Sequence, residues 1–263
     1  MSELAILYDA SKCTACRGCQ VACKQWNDLS GDVTTNRGTY ENPPDLSANT
    51  WLKIKFIEQG TYPDIRWLFG RRSCMHCTES ACVDVCPTKA LYHHEMGFVA
   101  YDKSKCSGCG YCVEACPFDV PRSSSGAVTG IRHANKCTLC QDRVTNEEKP
   151  ACVKSCPTGA LTFGERSDIL AAAQARVNVL KAGNPKANIY GDTQLGGLHV
   201  LYVLEDSPEV YGLPGNPKVP IATTVWKDIV QPVGWGLAGI AVLGLGLNYI
   251  IAQRKIKIKS EGE

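Results

Sequence analysis

The sequence predicts an α+β fold of two small modules followed by one C-terminal transmembrane helix, and three observations carry that expectation. Sixteen cysteines in 263 residues are bunched into four groups. Between the groups, short apolar runs alternate with stretches rich in Gly, Pro, Asn and Asp, which suits brief strands and helices around loops. Near the end, residues 233–252 read VGWGLAGIAVLGLGLNYIIA without a charge, long enough to cross a bilayer.

Three cysteine groups read C-x-x-C-x(2 or 4)-C-x-x-x-C: Cys13/Cys16/Cys19/Cys23, Cys74/Cys77/Cys82/Cys86 and Cys106/Cys109/Cys112/Cys116. The fourth, Cys137/Cys140/Cys152/Cys156, keeps the outer spacing around a longer insertion, and Cys86, Cys116 and Cys156 each precede a proline. This is the bacterial ferredoxin arrangement, in which three close thiolates hold one [4Fe-4S] cluster and the fourth cysteine crosses to a second. Two-residue gaps let a tight loop set three sulfurs around one face of a cubane. The far iron is more easily reached from another segment, whose fourth cysteine opens a short helix where proline's missing N–H is tolerated. Four clusters and electron transfer follow, in two ferredoxin-like two-cluster modules, with no cysteine left as a nucleophile.

Disulfides are a poor alternative, because cysteines so locally bunched cannot staple distant loops. A non-redox zinc-binding assembly protein is the stronger rival, since paired C-x-x-C units suit tetrahedral zinc. Zinc ribbons, however, set two such pairs about fifteen to twenty residues apart, whereas triplets with a trailing Cys-Pro recur here.

Lys and Arg number 28 against 26 Asp and Glu, a net charge of +2 that gives no reason to expect nucleic acid. No Gly-rich phosphate loop precedes a helix, so nucleotide binding is not expected. An apolar fraction of 44% supports a folded core, but metal ligation supplies part of the stability, so the head should unfold without its clusters.

In chain order, residues 1–206 form the four-cluster head. The first ten residues lack a basic region and a long apolar run, so no secretory signal is read there. Residues 29–50, with Asn42-Pro43-Pro44-Asp45, read as a surface insertion. Strands are expected over 52–57 and 97–101, with short helices following the cysteine motifs. Motifs two and three, 32 residues apart from Cys74 to Cys106, suit a contiguous inner module over 71–122. Motif four begins 31 residues after Cys106, so spacing equally permits three to pair with four. If two pairs with three, motif one pairs with four in an outer module built from 1–70 and 123–206, with pseudo-symmetry to the inner one. Residues 167–181 read as a helix capped by Ser167 and stopped at Gly183-Asn184-Pro185, and 198–204 as a strand. Pro208, Pro214, Pro217 and Pro220 make 207–231 a linker with a stiff extended start. The transmembrane helix is expected over 232–253 and a basic tail over 254–263.

Gly234, Gly236, Gly239, Gly244 and Gly246 would weaken that helix in water but are common in membranes. Trp226 and Trp235 near one boundary and Tyr249 near the other suit interface aromatics. Gly234 with Ala238, and Ala241 with Gly244, permit close packing against a membrane partner, and Asn248 can hydrogen-bond to a neighbouring helix. Arg254, Lys255, Lys257 and Lys259 follow the span, against Lys218 and Lys227 before it. The positive-inside rule places the tail in the cytoplasm and the head on the outer, periplasmic face of the cytoplasmic membrane. Clusters are assembled in the cytoplasm, so such a head crosses already folded, carried by a partner's export signal. The alternative keeps the head cytoplasmic and sets the tail against lipid headgroups.

His76, His93 and His94 lie near cysteines, but each motif already has its thiolates, so they are read as neighbours of the sites and not ligands. Lys12, Arg17, Lys105 and Lys136 adjoin cluster cysteines, where a basic side chain could raise a cluster's potential or simply face solvent.

The chain resembles the iron–sulfur (beta) subunit of membrane-bound respiratory formate dehydrogenases. The resemblance is carried by SKCTACRGCQVACKQWND, GTYENPPDLS, RRSCMHCTESACVDVCPTKAL, KCSGCGYCVEACPFDVPR, GGLHVLYVLEDSPEVYGLP and the single anchor. It implies a crosswise ligand set. Cys13, Cys16 and Cys19 share a cluster with Cys156 (quartet a), and Cys137, Cys140 and Cys152 with Cys23 (quartet b). Cys74, Cys77 and Cys82 take Cys116 (quartet c), and Cys106, Cys109 and Cys112 take Cys86 (quartet d). Relatives that replace one ligand hold a three-iron cluster, so sixteen cysteines imply four cubanes. Motif one departs from the pattern in having Lys24, not proline, after its last cysteine. The resemblance further implies a molybdopterin (Mo/W) catalytic subunit as donor, a membrane cytochrome b subunit reducing quinone as acceptor, and no catalytic residue on this chain. Iron–sulfur subunits of dimethyl sulfoxide or polysulfide reductases and of hydrogenases share the four motifs and are the runners-up.

Overall fold

The structure, a computed structural model, describes residues 2–124, 132–225 and 229–260. It divides into two compact units, Met1–Val219 and Pro220–Glu263.

The first unit mixes short strands and helices in the order β1 (Leu4–Asp9), α1 (Gly18–Trp26), β2 (Lys53–Gln59), β3 (Arg66–Arg72), α2 (Ala81–Asp84), β4 (Leu91–His93), β5 (Val99–Tyr101), α3 (Tyr111–Glu114) and β6 (Arg122–Ser123). It continues with β7 (Ala134–Asn135), α4 (Gln141–Val144), α5 (Ala151–Lys154), β8 (Leu161–Glu165), α6 (Arg166–Lys181), β9 (Asn188–Tyr190) and β10 (Val200–Leu204). One sheet has four strands in the order β8-β1-β10-β9. Strand β1 runs parallel to β10, Ile6 opposite Val200, and antiparallel to β8, Tyr8 opposite Leu161. The other sheets are two-stranded: β2–β3, β4–β5 and β6–β7.

Strand β10 reads VLYVL and every residue in it is buried, because the sheet is covered on both faces. Val200, Tyr202 and Leu204 point with Ile6 and Tyr8 into the core that also holds Cys19, Cys23 and Cys152. Leu201 and Val203 point the other way, onto Ile169, Ala173 and Val177 of α6. The period-two alternation of a strand thus splits one apolar run between two cores.

Expected elements recur with shifted ends. The strand expected over 52–57 is β2, and that over 97–101 is β5, preceded by Gly97 at φ 90° in the turn. A Cβ on Gly97 would lie 2.2 Å from the His199 ring, so glycine is required there. Leu198 makes only an isolated bridge, to Cys77, before β10 begins. Helix α6 starts one residue early, and Ser167 is inside it, not its cap. Strand β8 runs straight into the helix, and the Arg166 N–H is satisfied by the Glu3 carbonyl at 2.7 Å, which leaves a side-chain cap little to do. The stop is as expected, with Gly183 and Asn184 N–H both bonded to the Leu180 carbonyl.

The proline-rich stretch does not run free from Ser207. Residues 207–219 belong to the first unit. Tyr211 is buried, its carbonyl accepts from Lys55 Nζ at 3.2 Å, and Tyr190 Oη donates to the Pro214 carbonyl at 2.7 Å. An aromatic inserted into the core overrides the extended habit of its proline neighbours.

The second unit holds α7 (Ile221–Val225) and α8 (Gln231–Ser260). Residues 231–252 of α8 have a mean hydropathy of 1.7 and none of that face is buried, so the helix is long and apolar enough to cross a membrane. It continues to Ser260 through most of the stretch expected as a tail. Trp235 and Tyr249 are exposed; Trp226, Lys227 and residues 261–263 lie outside the described residues.

Candidate metal centres

Each cysteine motif opens on a tight loop with one left-handed residue two positions after its first cysteine: Ala15, His76, Gly108 and Leu139, at φ 52°, 49°, 75° and 59°. That conformation costs an L-residue about 1–2 kcal/mol. Its return is visible in two of the loops, where Ala15 N–H donates to Cys13 Sγ and Leu139 N–H to Cys137 Sγ, both at 3.4 Å. At Gly108 space also decides, since a Cβ would lie 2.7 Å from the Arg132 carbonyl.

The short helices lie inside the motifs, not after them. Cys19, Cys82, Cys112 and Cys152 sit in α1, α2, α3 and α5. Helices α2, α3 and α5 end before Cys86-Pro87, Cys116-Pro117 and Cys156-Pro157, because a residue preceding proline is pushed out of the α region. The fourth cysteine therefore closes a helix; it does not open one. Motif one has Lys24 after Cys23, and α1 runs on to Trp26.

The loops bring thiols from different motifs together. Cys86, Cys106, Cys109 and Cys112 line one cavity. Cys23, Cys137, Cys140 and Cys152 line a second. Cys74, Cys77, Cys82 and Cys116 line a third. The remaining four meet through their fields. Burial raises the Cys13 thiol, with Cys156 and Cys16 adding repulsion, and burial pushes Cys19 up to about 12, with Cys13 and Cys156 among its neighbours.

Burial dominates these groups. It pushes Cys112 and Cys140 up to about 12, and Cys116 and Cys137 to about 11, with neighbouring thiols adding to the rise. The sites therefore hold neutral thiols until a cation replaces the proton. Cys106 is the exception: against the pull of burial, the Tyr101 hydroxyl and nearby backbone amides hold it below the usual range.

The residues fit a cluster better than a single ion. Among the described residues no three His, Cys, Asp or Glu side chains converge on one ion's position. Tetrahedral zinc, with sulfur at about 2.3 Å, would need its four sulfurs within roughly 4 Å of one another. Here no set of thiols among the described residues converges that closely on one point.

The other sequence candidates divide. Lys12 and Lys105 face solvent and pair with Asp9 and Asp102. Arg17 lies over the Phe56 ring, 4.8 Å from its centroid. Lys136 alone of the four is buried, bonded to the Val99 and Cys137 carbonyls at 2.8 and 2.9 Å. His93 bonds to Ser80 and His94 stacks on Phe98, while His76 is wholly buried and held neutral by burial and by Lys136, His199 and Arg71. Sequence reading missed Arg71, which is 2% exposed with none of its side-chain nitrogens partnered.

Comparison with known proteins agrees with this chemistry. A 4Fe-4S dicluster domain matches residues 65–166 and a 4Fe-4S binding domain matches residues 10–26. The chain is 42% identical to the formate dehydrogenase iron-sulfur subunit of Haemophilus influenzae, over 93% of its own length and 78% of that protein. It is 41% identical to the nitrate-inducible formate dehydrogenase iron-sulfur subunit of Escherichia coli, over 95% and 85%. It is 38% identical to formate dehydrogenase 2 subunit beta (cytochrome c-553) of Nitratidesulfovibrio vulgaris, over 79% and 95%. Thiol-lined cavities, and likeness over nearly the whole chain, lead to one conclusion: the chain belongs to the iron–sulfur electron-transfer subunits of formate dehydrogenases.

Proposed function

We propose that this subunit holds four [4Fe-4S] clusters and relays electrons from a molybdopterin (Mo/W) centre on its catalytic partner to a membrane cytochrome b and quinone. The observation that carries this reading is the set of three cavities, each ringed by four thiols drawn crosswise from two motifs. Quartets b, c and d as defined above match those rings, and quartet a is supported by the mutual fields of Cys13, Cys16, Cys19 and Cys156. Each cluster, when bound, takes up and gives back one electron.

The protein's part is to line up and insulate the quartets. Cys19 of a feels Cys152 of b, Cys137 of b feels Cys74 of c, and Cys82 of c feels Cys112 of d. The order a–b–c–d follows. All four thiols of b are buried, whereas Cys16 in a and Cys109 in d are exposed, so the ends of the relay lie at the surface where partners can reach them.

Two pseudo-symmetric modules are supported by repeated local structure. Tyr8-Asp9-Ala10-Ser11-Lys12-Cys13 and Tyr101-Asp102-Lys103-Ser104-Lys105-Cys106 both form a 3₁₀ turn in which Asp accepts from Ser N–H at 3.0 Å and Ser Oγ at 2.6 Å. Asp9 and Asp102 N–H bond to Ala160 and Ala90, each four residues after a Cys-Pro cysteine. On this reading the inner module is 71–122 and the outer one is built from 1–70 and 123–206.

Helix α8 anchors the subunit among lipids. Its following basic residues favour a cytoplasmic tail and a periplasmic head. Purification of the intact complex and assay of formate-dependent quinone reduction tests the donor; reduction with hydrogen but not formate overturns it. Protease added to spheroplasts should cut the head and spare the tail, and the reverse accessibility overturns the orientation.

A further inference from the structure

Arg71 lies on β3 opposite Ile54 and is the largest side chain in the molecule to be fully buried. Its main-chain carbonyl accepts from Tyr202 Oη at 3.0 Å, which fixes the strand beneath it. Its Nε, Nη1 and Nη2 have no hydrogen-bond partner among the described residues. A guanidinium cannot shed its proton, and an interior tolerates a buried ion only when it is paired. Five N–H donors with nothing to donate to, in a core that also contains Cys19, Cys23 and Cys152, mark the place of an anionic group.

We propose that Arg71 is the counter-charge shared by quartets a and b, donating toward their sulfurs and raising the reduction potentials of both clusters. The inference rests on the four-cluster reading above. The surroundings agree with it: Ile54, opposite Arg71 on the neighbouring strand, and Tyr202, bonded to its carbonyl, both pack in the core with Cys19 of a and Cys23 and Cys152 of b. Quartet c has its own buried cation, Lys136, which lines the same cavity. The cavity of d is lined by Arg132, which is exposed, so solvent screens its charge more than that of a buried group. The shift that depends on Arg71 therefore falls on a and b. Arg71 touches no substrate and is a positioning residue.

The test is a potentiometric titration, followed by low-temperature EPR, of the purified intact complex carrying wild-type chain, Arg71→Gln or Arg71→Lys. Iron and acid-labile sulfide are counted first, and a wild-type chain without iron sinks the four-cluster reading itself. With full iron, Arg71→Gln should lower two of the four potentials by at least a tenfold change in reduced fraction, 59 mV for one electron. The other two should stay in place, and Arg71→Lys should shift much less. If Arg71→Gln instead assembles with half its iron while Arg71→Lys keeps it all, the charge is needed to hold a and b, which also supports the proposal. Unshifted potentials in a fully loaded Arg71→Gln, a uniform shift of all four, or equal iron loss in both variants overturns it.

Discussion

The region around β1, β10 and α6 and the region around β4 and β5 set their cysteine loops on different supports. Around β1, β10 and α6, the core of Ala5, Leu7, Ile169, Ala173, Val177, Ala187, Leu201 and Val203 contains no cysteine. Around β4 and β5, the core is Leu91, Val99, Cys112 and Ala134, with Cys82, Cys86 and Cys106 packed against it. On its α6 face the sheet buries aliphatic side chains without a cysteine, while its other face shares a core with Cys19, Cys23 and Cys152. Around β4 and β5, the thiols that line a cavity are themselves much of the core, so the inorganic group must do what leucines do elsewhere. The β4–β5 region should therefore depend on metal more than the sheet backed by α6.

Iron removal should break the comparison open most widely. After anaerobic chelation, amides of β4 and β5 should lose hydrogen-exchange protection while β1, β10 and α6 keep theirs; uniform loss would mean that the whole head depends on metal, as the cysteine count alone predicts. Leu201→Ala should cost about 2–5 kcal/mol, measured by denaturant unfolding, in loaded and iron-free protein alike. Leu91→Ala should destabilise only the loaded form, because its surroundings have already melted in the other. Tyr8→Phe removes the bond to the Phe69 carbonyl at 2.7 Å and should cost about 1–3 kcal/mol. Arg176 ties α6 to the first cluster loop through Asp9 at 3.0 Å and Ser11 at 2.8 Å. Its replacement by Ala should cost about 1–2 kcal/mol in thermal unfolding, at the low end because the side chain is partly solvated.

Much of the site was legible because its information is local. Cysteine spacing reports the loops, proline after Cys86, Cys116 and Cys156 reports where helices stop, and twenty uncharged residues report a helix long and apolar enough to cross a membrane. Spacing left open which motifs pair. The repeats Tyr-Asp-x-Ser-Lys-Cys at Tyr8 and Tyr101, and Cys-Pro-Thr-x-Ala-Leu at Cys86 and Cys156, liken motif one to three and two to four, and it takes the folded cavities to bring Cys86 to motif three and Cys23 to motif four. Arg71 was not legible. Lys12, Arg17 and Lys105 drew attention by standing next to cysteines, yet Lys12 and Lys105 face solvent and Arg17 lies on Phe56, while Arg71 is buried because β3 pairs with β2 and lies beneath Tyr202. Tyr211 was hidden likewise, since its burial depends on a sheet that joins β1 to β8 and β10 across residues 10–160.

Mössbauer spectroscopy of the intact complex, with iron-57 in this subunit, tests the central claim most directly. The account predicts about sixteen irons per chain, all of them in cubane [4Fe-4S] environments. A chain whose thiols are filled by zinc, or whose iron is partly in three-iron or mononuclear sites, would contradict it.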